Sequence, residues 1–439
     1  MARQIISHSL STNSKKRRES KRWIVRSLVG IAVLLFFFLL CYVYAIVIEN
    51  ILPLDNHASM DNGINFNMNT SAMKNRPIES KEDRRPETHS VPMDPLKPLK
   101  FITVVLPSVV NPTGREKRLD AITSTWGPAS NAIYVTHPGT SSDYTLANAN
   151  ASKDSFPRIM PIEPNIALED EGVPRLKHVI SEIYKRYNPD FAFFANDHTF
   201  IIPQHLCSFL KEHSFQAEEH LYAGHALRPK NQKGTKYAFN SGASGYFLSR
   251  KTMQVLTEKW NEGDTVCEGS GRKWLQGNPG LITAECLKSV GVDPLDTRDE
   301  SKRHIFHAFG LVRVVKKELD QWYEDKHVEL YEILGNDETF HHELQKGKDC
   351  CSPGTASFHY VEWAETLALW GTLAEILKRG INGIEDKELQ KYMIDHWPKE
   401  KKDVGGYAQH LPPVSKQDVW NDLLYIVKSI APTNEDGFC

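Results

Sequence analysis

The sequence predicts an α/β fold with a mostly parallel sheet, and three observations predict it. Short, wholly apolar runs recur between residues 101 and 195, helical stripes lie between them, and polar turn residues separate the two kinds. Phe101–Pro107 (FITVVLP) is a continuous apolar run, as expected of a strand buried on both faces. Arg115–Trp126 follows a helical pattern, Ala132–Thr136 reads as a second strand, and Arg158–Glu163 as a short third. Val173, Leu176, Val179, Ile180, Ile183 and Tyr184 form one helical stripe, which Asn188-Pro189-Asp190 stops. Phe191–Ala195 (FAFFA) is the next buried strand. Ligands of such sheets bind beyond the carboxyl ends of the strands, so Asn196-Asp197-His198-Thr199 is the first place to look for chemistry. Beyond Gly380 the chain is more polar and loop-like, with a last helix expected over Lys416–Ile430.

Composition narrows the function. The 439 residues carry 53 Lys+Arg against 55 Asp+Glu, a formal net charge of −2, so no basic field calls for nucleic acid. Hydrophobic residues at 40% and charged residues at 25% exclude a chain disordered throughout. One stretch, Ser27–Ile48, is long and apolar enough to span a membrane, which excludes a polytopic protein. Its 22 uncharged residues make a helix of about 33 Å against a hydrocarbon core of about 30 Å. It is longer than the apolar core of a signal peptide, and no small-residue cleavage site ends it. Lys15, Lys16, Arg17, Arg18, Lys21, Arg22 and Arg26 precede it and orient the rest of the chain to the lumen. Six cysteines follow the span, at 207, 267, 286, 350, 351 and 439, and suit an oxidising compartment. Cys350 and Cys351, as neighbours, are each expected to find a separate partner. The sequons at Asn69 and Asn150 are usable there. The expected organisation is a cytosolic tail over 1–26, an anchor over 27–48, a disordered stem over 49–98, a catalytic domain over 99–380 and an extension over 381–439.

Several segments carry a family resemblance. REKRLDAITSTWG (Arg115–Gly127), FAFFANDHTFIIPQHL (Phe191–Leu206) and FNSGASGYFLSRKTM (Phe239–Met253) resemble, in order, three blocks of the β1,3-glycosyltransferase family that includes fringe. GVDPLDTRDESKRHIFHAF (Gly291–Phe309) and CCSPGTASFHYVE (Cys350–Glu362) are similar to the core 1 β1,3-galactosyltransferases in particular. The resemblance implies a glycosyltransferase A-type, Rossmann-like lumenal domain in the Golgi membrane. It also implies transfer of galactose from UDP-galactose to the 3-hydroxyl of O-linked N-acetylgalactosamine on a glycoprotein, with inversion. Such a reaction uses a carboxylate base and a divalent metal, Mn²⁺, that stabilises the departing UDP.

The implied sites fall on definite residues. Asn196, Asp197 and His198 stand where the family has three aspartates, and His307 matches its remaining metal ligand. Two carboxylates are thus replaced, which weakens the cage without removing its ligand types. For His198 the alternative is a polar strand-end residue without metal. Arg118 and Trp126 are expected on the nucleotide side, and Ser241, Gly242 and Gly245 where the backbone approaches the donor. The family's base position falls on Gly280, which has no side chain. Glu285, five residues on and rotated by about 140° on a helix, Asp264 and Glu268 are the alternative bases. The resemblance also implies a Cys267–Cys286 disulfide. Arg298 and Asp299 suit a structural ion pair as readily as substrate binding; Trp322, Tyr323 and Tyr360 offer sugar-stacking faces or core packing, and His359 faces the cleft or satisfies a buried hydrogen bond. The altered metal and base positions equally suit a catalytically inactive paralogue, a chaperone or a sugar- or partner-binding protein.

Overall fold

The computed structural model describes residues 100–108, 114–136, 158–161, 172–228, 238–269, 279–321, 323–324, 345–398 and 417–433, all within one compact unit, Thr88–Cys439. The apolar segment Ser27–Ile48, the stem, both sequons and Trp322 lie outside the described residues. No helix among the described residues is long and apolar enough to cross a membrane.

In chain order the elements are β1 (Phe101–Leu106), α1 (Arg115–Ser124), α2 (Trp126–Ala129), β2 (Ile133–Thr136) and β3 (Arg158–Pro161). Next come α3 (Val173–Glu182), β4 (Phe191–Asn196), β5 (Phe200–Ile201), α4 (Pro203–Glu212), β6 (Tyr222–Gly224), β7 (Ala226–Leu227) and β8 (Phe239–Asn240). They are followed by β9 (Tyr246–Ser249), α5 (Arg250–Asn261), α6 (Pro279–Ser289), β10 (Phe306–His307), α7 (Leu311–Val315) and β11 (Ser357–Phe358). Helices α8 (Trp363–Arg379), α9 (Asp386–His396) and α10 (Gln417–Ser429) complete the described chain.

The main sheet runs β3-β2-β1-β4-β9-β6, parallel from β3 to β4 and antiparallel at β9. Its strands are buried on both faces, which is why FITVVL and FAFFA read as unbroken apolar runs. Alternate side chains serve two cores. Phe101, Val105, Phe191 and Phe193 pack with α1, α4 and α8, while Ile102, Val104, Ala192 and Phe194 pack with α3, α5 and α6. The result is a three-layer α/β/α sandwich, as the sequence predicts. Strand β1 has β2 on one side and β4 on the other, so the order reverses there, and a ligand crevice is expected beyond the carboxyl ends of β1 and β4.

A small second sheet, β10-β11-β5, continues from that point. The turn Asn196–Thr199 passes the chain from β4 in the large sheet to β5 in the small one. Three separate motif segments, around residues 196, 307 and 359, therefore belong to one neighbourhood.

Several sequence readings need correction. Beyond Gly380, Ile384, Leu389, Met393, Trp397 and Trp420 are buried in the same core cluster as β1 and β4. Helix α9 went unread because its buried face is narrow, with Leu389 and Met393 its buried residues. The stripe over 173–187 is helical throughout, but its last five residues, Ile183–Tyr187, form a π turn closed by Asn188 at φ 43°. Cys267 and Cys286 are bonded, as implied. Cys350 and Cys351 are bonded to each other, against expectation. The usual Cα separation of about 4.4–6.8 Å argues against neighbours, whereas this pair bridges at 3.7 Å where the 3₁₀ turn Gly347–Asp349 ends. Cys207 is also disulfide-bonded.

Candidate functional site

The polar cluster at the strand ends is built around Asp197, the one carboxylate left in the Asn-Asp-His motif. Its Oδ1 accepts the backbone N–H of Ser108, just past β1, at 2.9 Å. Its Oδ2 accepts Nε–H of Arg118, from α1, at 2.9 Å. Both side chains are buried. Arg118 also lies with Nη1 3.8 Å from Oε2 of Glu362, and His198 places Nδ1 3.5 Å from Oε1 of that carboxylate. The backbone joins the same pieces, with Val361 N–H donating to His198 O at 3.0 Å.

Asn196 is turned towards its own backbone. Its Oδ1 accepts His198 N–H at 2.9 Å and lies 3.0 Å from Thr199 Oγ1, the local bonding that makes Asn a turn residue. Its Nδ2 lies 3.5 Å from Nε2 of His359. Thr199 in turn donates to Ala243 O at 2.7 Å, and Ser357 donates to Ser244 O at 2.6 Å. The first bond fastens the Ser241–Gly245 loop to the motif turn, and the second fastens it to β11. The structure thus brings together Arg118, Asn196, Asp197, His198, the Ser241–Gly245 loop and the His359–Glu362 turn.

Other expected site residues have different surroundings. Trp126 is fully buried in the core, where it packs. Gly245 has φ +83°, and a Cβ there would lie 2.3 Å from Phe193 Cζ, so packing against β4 dictates this glycine. Gly242 is exposed, and a Cβ there would meet its nearest atom, on Tyr246, at 3.8 Å. His307 is buried with its ring stacked on Phe358 at 4.6 Å and Nε2 3.4 Å from Thr355 Oγ1. Asp264 closes its own loop by accepting N–H bonds from Val266 and Cys267, and the Cys267 bond is the main cause holding its carboxyl below the usual range. Glu268 is ion-paired with Lys177 at 2.5 Å. Glu285 is half-buried on α6, the helix that carries Gly280 near its start. Arg298 pairs with Asp296, and Asp299 with Arg303, rather than with each other. Tyr323 is buried with its hydroxyl 3.0 Å from His225 Nε2, and the Tyr360 ring lies tilted against His359, centroids 3.6 Å apart.

Two glutamates escaped the sequence reading. Glu362 is the N-cap of α8, and its partner Glu365 completes a reciprocal capping box, with Glu362 N–H donating to Glu365 Oε2 at 3.2 Å. The signal was present as Glu-x-x-Glu before an apolar helix, but the recognised box begins with Ser or Thr. Burial pushes Glu365 up to about 8, and the Glu362 charge adds to that shift. Burial takes His198 down to about 3, with the Arg118 charge adding to it. His359 is likewise down to about 3, from burial first and His198 second. The histidines of this crevice are therefore neutral at physiological pH.

These residues do not fit the Mn²⁺ that the resemblance implies. Hard cations need carboxylate oxygens turned towards them. Here both oxygens of Asp197 and the oxygen of Asn196 are turned to protein donors, one of them a guanidinium. Among the described residues, no three His, Cys, Asp or Glu side chains form a group that could hold a metal ion.

No family model matches the chain. Over 176 residues it is 28% identical to glycoprotein-N-acetylgalactosamine 3-beta-galactosyltransferase 1 of Xenopus laevis, a match that takes in 39% of this chain and 42% of that protein. The chain is a distant relative of the glycoprotein-N-acetylgalactosamine 3-β-galactosyltransferases, and that relation supports a glycosyltransferase function.

Proposed function

We propose that the chain is a type II Golgi membrane glycosyltransferase that moves galactose from UDP-galactose to the 3-hydroxyl of O-linked N-acetylgalactosamine on glycoproteins. The observation that carries this reading is the meeting of three sequence-distant motif segments, around 197, 243 and 360, at the switch point of the sheet. In such sheets that crevice is where nucleotides sit. The relation to a galactosyltransferase supports the same reaction class.

Transfer with inversion requires that a carboxylate take the proton of the acceptor hydroxyl as its oxygen forms a bond to the anomeric carbon. The bond from that carbon to the diphosphate oxygen breaks, and UDP leaves with the electron pair. Asp264 and Glu268 are held by the 264–267 loop and by Lys177. Glu285, half-buried on the helix of Gly280 and rotated about 140° from it, is the candidate base left in this reading. Asp197 and Arg118 hold the β1 and β4 ends at a fixed separation, so they shape the crevice.

The second reading is an inactive paralogue that binds a sugar nucleotide or a partner, and Gly280 at the family's base position favours it. Incubating the full-length protein with UDP-galactose and an N-acetylgalactosaminyl peptide separates the two. A β1,3-linked disaccharide, formed by the wild type and reduced at least about 100-fold in Glu285→Gln, supports the enzyme. Donor binding without any product moves the assignment to the paralogue. Product formation undiminished in Glu285→Gln removes Glu285 as base.

A further inference from the structure

We propose that the nucleotide crevice of this chain works without a divalent metal, the buried Arg118 guanidinium holding the motif carboxylate in the place a metal would take. The inference rests on reading the crevice as the donor site and goes beyond it in naming what the site excludes. Three contacts carry it. Arg118 donates to Asp197 Oδ2, so the carboxylate of the motif already has a fixed cation against it. Ser108 N–H donates to the other oxygen, which fixes the plane of the carboxylate. The Asn196 amide oxygen closes its own turn on His198 N–H, with Thr199 Oγ1 3.0 Å away, and so is turned to protein groups.

The second acid of the cluster leads to the same conclusion. Glu362 lies beside both Arg118 and His198, and its carboxylate caps α8. Recruiting it for an ion would uncap that helix and leave Arg118 facing the dication. A further guanidinium stands at the same strand end, where Arg115 Nη2 donates to Ser108 O at 2.7 Å. The cations at this switch point are thus covalently part of the chain. In chemical terms, Arg118 and the motif carboxylate form an internal ion pair in place of a carboxylate–metal pair.

The test uses the purified full-length protein and two readouts. The free Mn²⁺ signal in electron paramagnetic resonance is titrated with protein, with and without UDP, and UDP affinity is measured calorimetrically in Mn²⁺ and in EDTA. The expected result is no protein-dependent loss of free Mn²⁺ beyond what UDP alone causes, and UDP affinities that agree within about threefold. A stoichiometric loss of free Mn²⁺ that disappears in Asp197→Asn overturns the proposal. So does a UDP affinity at least about tenfold higher in Mn²⁺ than in EDTA. Should UDP bind in neither condition, the donor-site reading fails, while the Mn²⁺ titration still decides whether the crevice takes a metal.

Discussion

Arg118 and Asp197, 79 positions apart, meet through a 2.9 Å hydrogen bond with both side chains buried. The pair clamps α1 to the end of β4, and through Ser108 to the end of β1. Removing one member of a buried pair leaves an uncompensated charge, at a cost of about 3–5 kcal/mol. Asp197→Leu and Arg118→Met are each expected to lose stability on that scale in urea denaturation. The double variant, with no buried charge left at either position, is expected to recover part of the loss. Equal losses in both singles and a fully additive double would show that the two side chains do not interact.

Acid should destabilise the fold through its buried histidines. Burial lowers His198, His307 and His359 to about 3 and His225 to about 4, from an ordinary value of 6.5. Between those values the unfolded chain binds more protons than the folded one, so stability is complete above 6.5 and is lost as the pH falls below it. Each group contributes a slope of up to about 1.4 kcal/mol per pH unit in that window. Melting temperature measured from about pH 7.5 down to about pH 5 is expected to fall steadily below 6.5. A flat profile would mean that these rings are solvated.

The fold was legible where the physics is local. FITVVL and FAFFA announce buried parallel strands because both faces are covered, and the stripe from Val173 to Tyr184 announces an amphipathic helix. The site was legible only as far as residue types go. Asp197 and Arg118 were both picked out, but nothing in the sequence says that each is the other's partner, because that contact depends on how β1 and β4 pair. Glu362 was missed because its role is set by the start of a helix and by contacts 164 and 244 residues away. Gly245 looked like a ligand contact by position in its motif, yet packing against the sheet explains it.

Glu365 sets an opposing pH dependence. Burial raises its carboxyl from 4.5 to about 8, so the folded protein holds a proton that the unfolded chain has released. Its contribution is complete below 4.5 and declines as the pH rises towards 8. Glu365→Gln keeps the capping acceptor for Glu362 N–H and removes the titration. The variant is expected to melt higher than wild type at about pH 8 and to match it near pH 5. A variant that melts lower at every pH would show that Glu365 acts in the folded protein as a carboxylate.

The two glycines of the Ser241–Gly245 loop separate packing from ligand contact. Gly245 has φ +83°, and a Cβ there would overlap the Phe193 ring at 2.3 Å, with backbone strain added. Gly245→Ala is expected to cost about 2–4 kcal/mol and to loosen the Thr199–Ala243 bond that ties the loop to the motif turn. Gly242 is exposed, its φ is not positive, and its added Cβ would meet Tyr246 at an ordinary 3.8 Å. Gly242→Ala is therefore expected to change stability by less than about 0.5 kcal/mol. If the backbone at 242 approaches the donor, Gly242→Val weakens UDP-galactose binding at unchanged melting temperature, because a branched side chain fills the space the nucleotide needs. Unchanged binding in Gly242→Val would place the donor elsewhere along the crevice and leave the loop as a brace for Asn196–Thr199.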